Sequence, residues 1–286
     1  MTAERPDGPT VALAAILLLA VGLLGRQAVG QSVAPNRATA YLFPTDVRDA
    51  RAIWVNPAGL AIAREASIYA EVGIGEPGQS GRLRQINAGF NSRGLAFGYQ
   101  HDIFDDGVRG TTLRLGLAGG TGGLAAGFDI ARYSGSGANA TGWDIGASYA
   151  PSPAFTFGLV TTNIGQPVVR GLKQRLTYIP GLTWRLGSVP TLAFSADARI
   201  TPDSVESMAF GLTWRTNSSS AKWPIEVIGR IDTDNQFRRG ALSLGFSIGG
   251  HNRGGVVASS PGDASQIDYS SIYGLLTRGL STTGRH

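Results

Sequence analysis

Large apolar side chains recur at every second position through most of this chain, and a period of two builds strands, not helices. In residues 94–102, Leu95, Phe97 and Tyr99 fall on one face, while Ala96, Gly98, Gln100 and Asp102 fall on the other. The same alternation returns with Leu113, Leu115 and Leu117, with Phe155, Phe157 and Leu159, and with Leu242, Leu244, Phe246 and Ile248. In a soluble sandwich the second face would be solvated and rich in Lys, Glu and Thr. Here it is filled with small residues, and the chain carries 41 glycines with only 16% charged residues. Bulky residues turned to lipid and small ones turned to a tight interior describe a membrane barrel.

The fold expected is therefore all-β: an antiparallel transmembrane β-barrel. Twelve strands read directly between residue 66 and Gly249, and residues 254–260 and 266–274 supply two more, for about fourteen. Pro180 interrupts one of them and calls for a bulge. Links such as NSRG, GGTG and APSP alternate with longer ones such as FDDGVRG, QPVVRGLKQ and a Ser/Gly/Asn loop near residues 134–140. Short turns on the periplasmic side and longer loops outside are the arrangement of outer-membrane barrels. Tyr149, Phe155, Trp184, Trp214 and Trp223 lie beside the short turns and Tyr99, Tyr133 and Trp143 toward the other end, as two interfacial girdles would.

Ahead of the strands, Val11 to Leu24 form an apolar run of 14 residues, short of the roughly 20 that span a membrane as a helix. Small residues at Ala28 and Gly30 then suit signal-peptidase cleavage. The organisation expected is a signal peptide over 1–30, a plug segment over 31–65, a barrel over 66–276 and a C-terminal tail over 277–286. Delivery to the bacterial outer membrane, in contact with its lipid, follows from that order. The chain has no cysteine, so neither a disulfide nor a lipidated cysteine is available to it. Its net charge of +5 is carried by arginines scattered along the chain, which is not the footprint of a nucleic-acid binder.

Within the plug segment, Val47, Ala50 and Trp54 have helical spacing, with Thr45 placed to cap the helix and Pro57 to stop it. The stretch Asp49-Ala50-Arg51-Ala52 leading into Asn56-Pro57-Ala58-Gly59-Leu60-Ala61 resembles the FadL-like superfamily of outer-membrane fatty-acid transporters, which includes the PorV-type proteins of type IX secretion. The resemblance implies a fourteen-stranded barrel with an N-terminal hatch in the lumen, gated at Asn56, Pro57, Ala58, Gly59 and Leu60. It further implies passive passage of small hydrophobic, fatty-acid-like molecules or, in the PorV manner, a secretion-system or envelope protein as partner. The chain left after signal removal is about 256 residues, shorter than such transporters, which points to reduced external loops.

Strand parity turns Glu71, Asp102, Asp129, Asp144, Asp197 and Glu226 into the lumen. With them go Arg114, Arg185, Arg199, Arg215 and Arg230. Comparable numbers of both signs suggest ion pairs that fill or close the barrel in place of an ion-selective pore, with a lining for substrate as the alternative. No enzymatic role, cofactor or metal is expected. Gly245-Phe246-Ser247-Ile248-Gly249 spells a nucleophile elbow inside an alternating strand with no helix after it. Gly73 to Gly78 match a dinucleotide fingerprint that Pro77 interrupts. His101, His251 and His286 lack metal-ligand spacing.

Overall fold

The computed structural model describes residues 36–63, 65–75, 82–104, 107–135, 138–169, 171–186, 191–216, 223–261 and 267–279. The signal-peptide stretch and most of the C-terminal tail lie outside the described residues.

Among the described residues there are sixteen strands: the alternating segments become fourteen, and the link QPVVRGLKQ contributes two short ones. Along the chain they are β1 (Glu65–Gly75), β2 (Arg82–Ser92), β3 (Leu95–Ile103), β4 (Arg109–Thr121), β5 (Leu124–Gly135), β6 (Ala138–Ser152), β7 (Phe155–Ile164), β8 (Val168–Val169) and β9 (Leu172–Lys173). They continue with β10 (Thr177–Leu186), β11 (Thr191–Ile200), β12 (Val205–Arg215), β13 (Ile225–Asp234), β14 (Arg239–Gly249), β15 (Asn252–Pro261) and β16 (Tyr269–Gly279). Fourteen of them close into one antiparallel barrel in chain order, with β1 pairing β16, while β8 and β9 form a small separate hairpin. Closure leaves the barrel itself without a free edge, so its strands pair with one another around the whole ring without water.

The outward face is apolar. Leu95, Phe97, Leu115, Leu124, Phe157 and Leu244 are all exposed, and the residues between them are small or buried. Several strands run further than the sequence indicated. Residues 134–135 and 138–140, expected as loop, belong to β5 and β6, and Gly119 to Thr121 belong to β4.

Both ends of the barrel chain, Glu65 and Gly279, meet at the rim of short turns. Two of these turns need left-handed backbone at both central residues, as the two-residue hairpin that matches strand twist requires. They are Arg93 (φ 52°) with Gly94 (φ 92°), and Gly122 (φ 58°) with Gly123 (φ 83°). At Gly94 a side chain would also meet the Ala118 carbonyl at 2.1 Å. The short-turn rim also carries a longer link, residues 216–224 between β12 and β13.

Pro180 does not create the expected bulge. The β10–β11 ladder keeps one register from Tyr178↔Ile200 to Gly181↔Asp197 and omits the pairs at Ile179 and Pro180. A missing N–H removes a rung without inserting a residue, and Pro180 still sits opposite Leu159 of β7.

Residues 36–63 lie inside the ring of strands. The helix expected from Thr45 onward is absent: within this segment only α1 (Ala52–Val55) is α-helical, and Arg51 at its N-cap position makes no side-chain cap. Thr45 instead joins its hydroxyl to that of Thr183 on β10 at 2.6 Å. Pro57 opens a 3₁₀ helix, Pro57–Ala61, capped by the Asn56 side chain, which suits the fixed φ and missing N–H of proline at a first helical position.

Candidate functional site

A segment can sit inside a barrel this narrow only where the wall leaves room, and glycine provides it. Among the described residues, nine strands (β2 to β7, β10, β12 and β14) each turn a glycine toward the segment, so that an added Cβ would meet it within 3.3 Å. Three cross-strand pairs stack these glycines in register: Gly89↔Gly98, Gly127↔Gly146 and Gly158↔Gly181. At Gly146 a Cβ would fall 2.0 Å from Asn56 Oδ1, at Gly127 2.6 Å from the Pro57 carbonyl, and at Gly211 2.3 Å from the Phe43 ring. The segment traces the inner wall, passing from β14 at Tyr41 to β7 at Thr45, and touching β2 at Ala50 and β6 at Asn56.

Asn56 is completely buried. Its Oδ1 accepts from the Ala58 N–H at 3.0 Å, and its Nδ2 donates to the Pro44 carbonyl at 2.8 Å and to the Ala147 carbonyl of β6 at 3.3 Å. One side chain thereby closes the turn, ties it to the earlier part of the segment and anchors both to the wall. Pro57, Ala58, Gly59 and Leu60 are buried with it. Gly59 cannot be larger, because a Cβ would lie 2.2 Å from the Val47 carbonyl. Leu60 offers its carbonyl to Asn91 Nδ2 of β2 at 3.1 Å.

Ion pairs fasten the segment further, as buried charges must be matched to be tolerated. Asp46 receives Arg185 Nη2 of β10 at 2.7 Å and Arg215 Nη2 of β12 at 2.8 Å. Arg215 also holds Glu226 of β13, which Arg253 of β15 approaches at 3.7 Å. Arg253 reaches Asp49 at 3.0 Å, and Asp49 pairs with Arg51 at 2.8 Å. Seven charges thus form one chain from Arg185 to Arg51, alternating in sign. Burial alone would raise the Asp46 carboxyl, but Arg215 and Arg185 outweigh it and hold that group well below the usual carboxylate range. Burial is likewise outweighed at Asp49, by Arg51 and Arg253.

A second group joins Arg114 of β4 to Asp129 and Asp144 of β5 and β6, with the guanidinium 5.2 Å from the centre of the Trp54 ring. A third joins Arg230 of β13 to Asp197 and Asp232 at 2.8 and 2.9 Å, while Arg230 also donates to the Leu42 carbonyl at 3.0 Å. Asp102 accepts from Gln85 and Gln100, and Asn36 Nδ2 donates to Gln100 at 2.9 Å. Glu71 is buried on the inner face of β1, and Arg199 lines the lumen from β11.

Of the aromatics, Tyr149, Phe155, Trp184 and Trp214 are exposed on the outer face near the short turns, with Phe155 and Trp184 stacked at 6.2 Å. Trp223, also exposed, stands in the link before β13. Tyr99 and Trp143 share the outward parity of β3 and β6. Tyr133 does not belong with them. It shares the parity of buried Asp129 and Ala131 and lines the interior.

Sequence reading did not find Asp46 or Arg253, and it placed Asp49 and Arg51 in the family-like stretch without assigning them ion pairs. The signal available was the density of charge in residues 46–51 (Asp46, Arg48, Asp49 and Arg51) in a chain otherwise sparing with it. Gly245 to Gly249, the elbow-like string, lie within β14 with Ser247 buried.

Toward the long-loop end the segment leaves a cavity of about 880 Å³. Its floor includes Leu42, Pro44, Trp54 and Val55, its walls include Arg114, Tyr133, Asp144, Asp197 and Arg230, and the β8–β9 hairpin borders it through Val169 and Leu172.

No family model matches the chain, and no curated protein matches it by sequence. Among solved structures, it is similar to the toluene transporter TbuX of Ralstonia pickettii, with a TM-score of 0.56 and 12% identity over 86% of this chain and 97% of that one. Lower scores relate it to a deltaS2S3 mutant of the monoaromatic hydrocarbon channel TodX (0.45; 10% identity; 80% and 94% covered). The outer membrane protein Omp33 of Acinetobacter baumannii scores alike (0.45; 8% identity; 77% and 100% covered). The likeness to TbuX rests on shape and not on sequence, and it establishes that this chain has the fold of an outer-membrane β-barrel.

Proposed function

We propose that this protein is a bacterial outer-membrane barrel giving small molecules a passive path across the membrane, gated by residues 36–63. The observation that carries this reading is the fit between that segment and the wall: glycines on nine strands recess to admit it, and ion pairs from β10, β12 and β15 hold it. A chain that only needed to fill its lumen could do so with wall side chains. A separate segment, packed against the wall glycines and tied to the strands through side chains, can leave. The FadL-like resemblance around Asn56 to Ala61 and the shared fold with a toluene transporter support small, largely apolar molecules as the cargo.

The test exploits the absence of native cysteine. The Ala50 Cβ lies 3.6 Å from the position of a Cβ on Gly89, within the span of a disulfide. In the Ala50→Cys, Gly89→Cys variant, oxidation locks the segment to β2. Accumulation of labelled laurate and labelled toluene by intact cells producing this variant should stop on oxidation and resume on reduction. Equal accumulation in both states would overturn the gating.

One observation favours a second reading. The seven-charge chain from Arg185 to Arg51 is extensive for an element that must move, and permanent closure would suit a barrel that serves as an interaction partner, in the PorV manner. That reading expects a stoichiometric envelope or secretion-system protein to co-purify, with uptake indifferent to the lock.

A further inference from the structure

The cavity above the segment is only partly apolar. Leu42, Pro44, Val55, Val169, Leu172 and Ile179 give it a greasy side. Facing them are two ion pairs, Arg114 with Asp144 and Arg230 with Asp197, and side-chain amides and hydroxyls that include Thr39, Thr162, Asn163 and Gln174. Trp54 and Tyr133 flank Arg114 and add two flat aromatic surfaces.

We infer that this cavity is a binding site for a small neutral aromatic bearing hydroxyl groups, a phenol or catechol type of solute, in preference to a bare hydrocarbon. The inference rests on the reading of the barrel as a small-molecule path and names the chemistry of what enters it. A volume of about 880 Å³ accommodates a single-ring solute within the usual range for small-molecule sites. A hydrocarbon seated there would displace water from the half-buried Thr162, Asn163 and Gln174 of the lining without replacing its hydrogen bonds, and stranded polar groups are costly. A hydroxyl group restores those bonds, while the ring covers Leu42, Val55 and Trp54. A charged ligand gains less, because Arg114 and Arg230 are already matched by Asp144 and Asp197 and groups of both signs line the cavity. A polyhydroxylated solute without an apolar face would leave the greasy side wet.

Ligand-observed NMR on the folded barrel in lipid nanodiscs, with empty nanodiscs as the blank for partitioning, tests this with phenol, catechol, toluene and glucose. Phenol and catechol should bind roughly tenfold to a hundredfold more tightly than toluene or glucose, the cost of leaving one such polar group unpaired. Thr162→Val combined with Gln174→Met exchanges two polar lining groups for apolar ones of similar bulk, and it should reduce the preference over toluene at least severalfold. If that variant fails to show the heat-modifiable migration of a folded barrel, Arg199→Met supplies the same readout from an exposed cavity side chain. Equal affinity for toluene and phenol, binding of glucose as tight as phenol, binding of none of the four, or a preference unchanged in the folded variant would each overturn the inference. Passage through the cysteine lock is read separately. Lock-dependent passage without a phenol preference removes the ligand assignment and leaves the gated path standing. A phenol preference without lock-dependent passage sinks the path and, with it, the role given to the site.

Discussion

Asp46→Ala should loosen the internal segment while leaving the barrel closed. Asp46 belongs to the segment, whereas its partners Arg185 and Arg215 belong to the wall, so the loss falls on the docking of one against the other. Removing one partner of a buried ion pair costs about 3–5 kcal/mol. The low end applies here, because Arg215 keeps Glu226 and Arg185 keeps its bond to the Thr156 hydroxyl at 2.8 Å. About 3 kcal/mol corresponds to roughly a hundredfold rise in the undocked population. The reporter is Ala50→Cys, a position with no exposed surface where the absent Cβ of Gly89 leaves space for a thiol. Its maleimide labelling rate follows the opened fraction when reclosing is fast. The expected result is labelling roughly a hundredfold faster in the Asp46→Ala background, with unchanged heat-modifiable migration. An increase below about threefold in a folded barrel would refute the assignment of the ion-pair chain as the tether.

Three further outcomes follow from the same geometry. Because Asp46 and Asp49 have depressed values when docked, their contribution is complete above the ordinary carboxylate value of about 4 and is lost as pH falls through the lower docked values. Labelling of the Ala50→Cys reporter, corrected for thiol ionisation, should therefore be flat from about pH 8 to 5 and rise only in acid below about pH 4; a rise already at about pH 6 would contradict it. Gly146→Val should expel the Asn56 turn and raise labelling of that reporter as Asp46→Ala does, while Gly229→Ala, whose added Cβ meets nothing within 4 Å, should behave as wild type. Leu115→Arg, in the middle of the lipid-facing side of β4, should lower barrel stability by about 2–4 kcal/mol in urea titrations of the folded form, without changing the reporter's labelling at low denaturant.

The wall of this protein is written locally and its filling is not. Phe97, Leu115 and Leu244 face outward because strands alternate, and alternation needs only neighbouring residues to be read. The same parity, followed through β5 from Phe128, turns Tyr133 inward. Placing it in the outer girdle followed its distance along the strand and neglected its parity. The spacing of Val47, Ala50 and Trp54 resembles one face of a helix, yet these residues are enclosed by wall on several sides, where helical spacing no longer marks a helix. The tethers were beyond sequence reading for a different reason. Asp46 finds Arg185 and Arg215, and Asp49 finds Arg253, across most of the barrel chain, and no local pattern encodes such partners. The glycine-rich inner face was visible as a demand for space, but what fills that space appears only once the strands close around residues 36–63.

Single-channel recording in planar bilayers puts the closed lumen to its most direct test. The full chain should give no sustained current at low voltage, because residues 36–63 occupy the section ringed by glycines. A chain lacking residues 36–63, shown to be folded by its migration, should conduct steadily. A full chain that conducts as freely as the deletion, or a folded deletion that stays closed, would contradict the central claim.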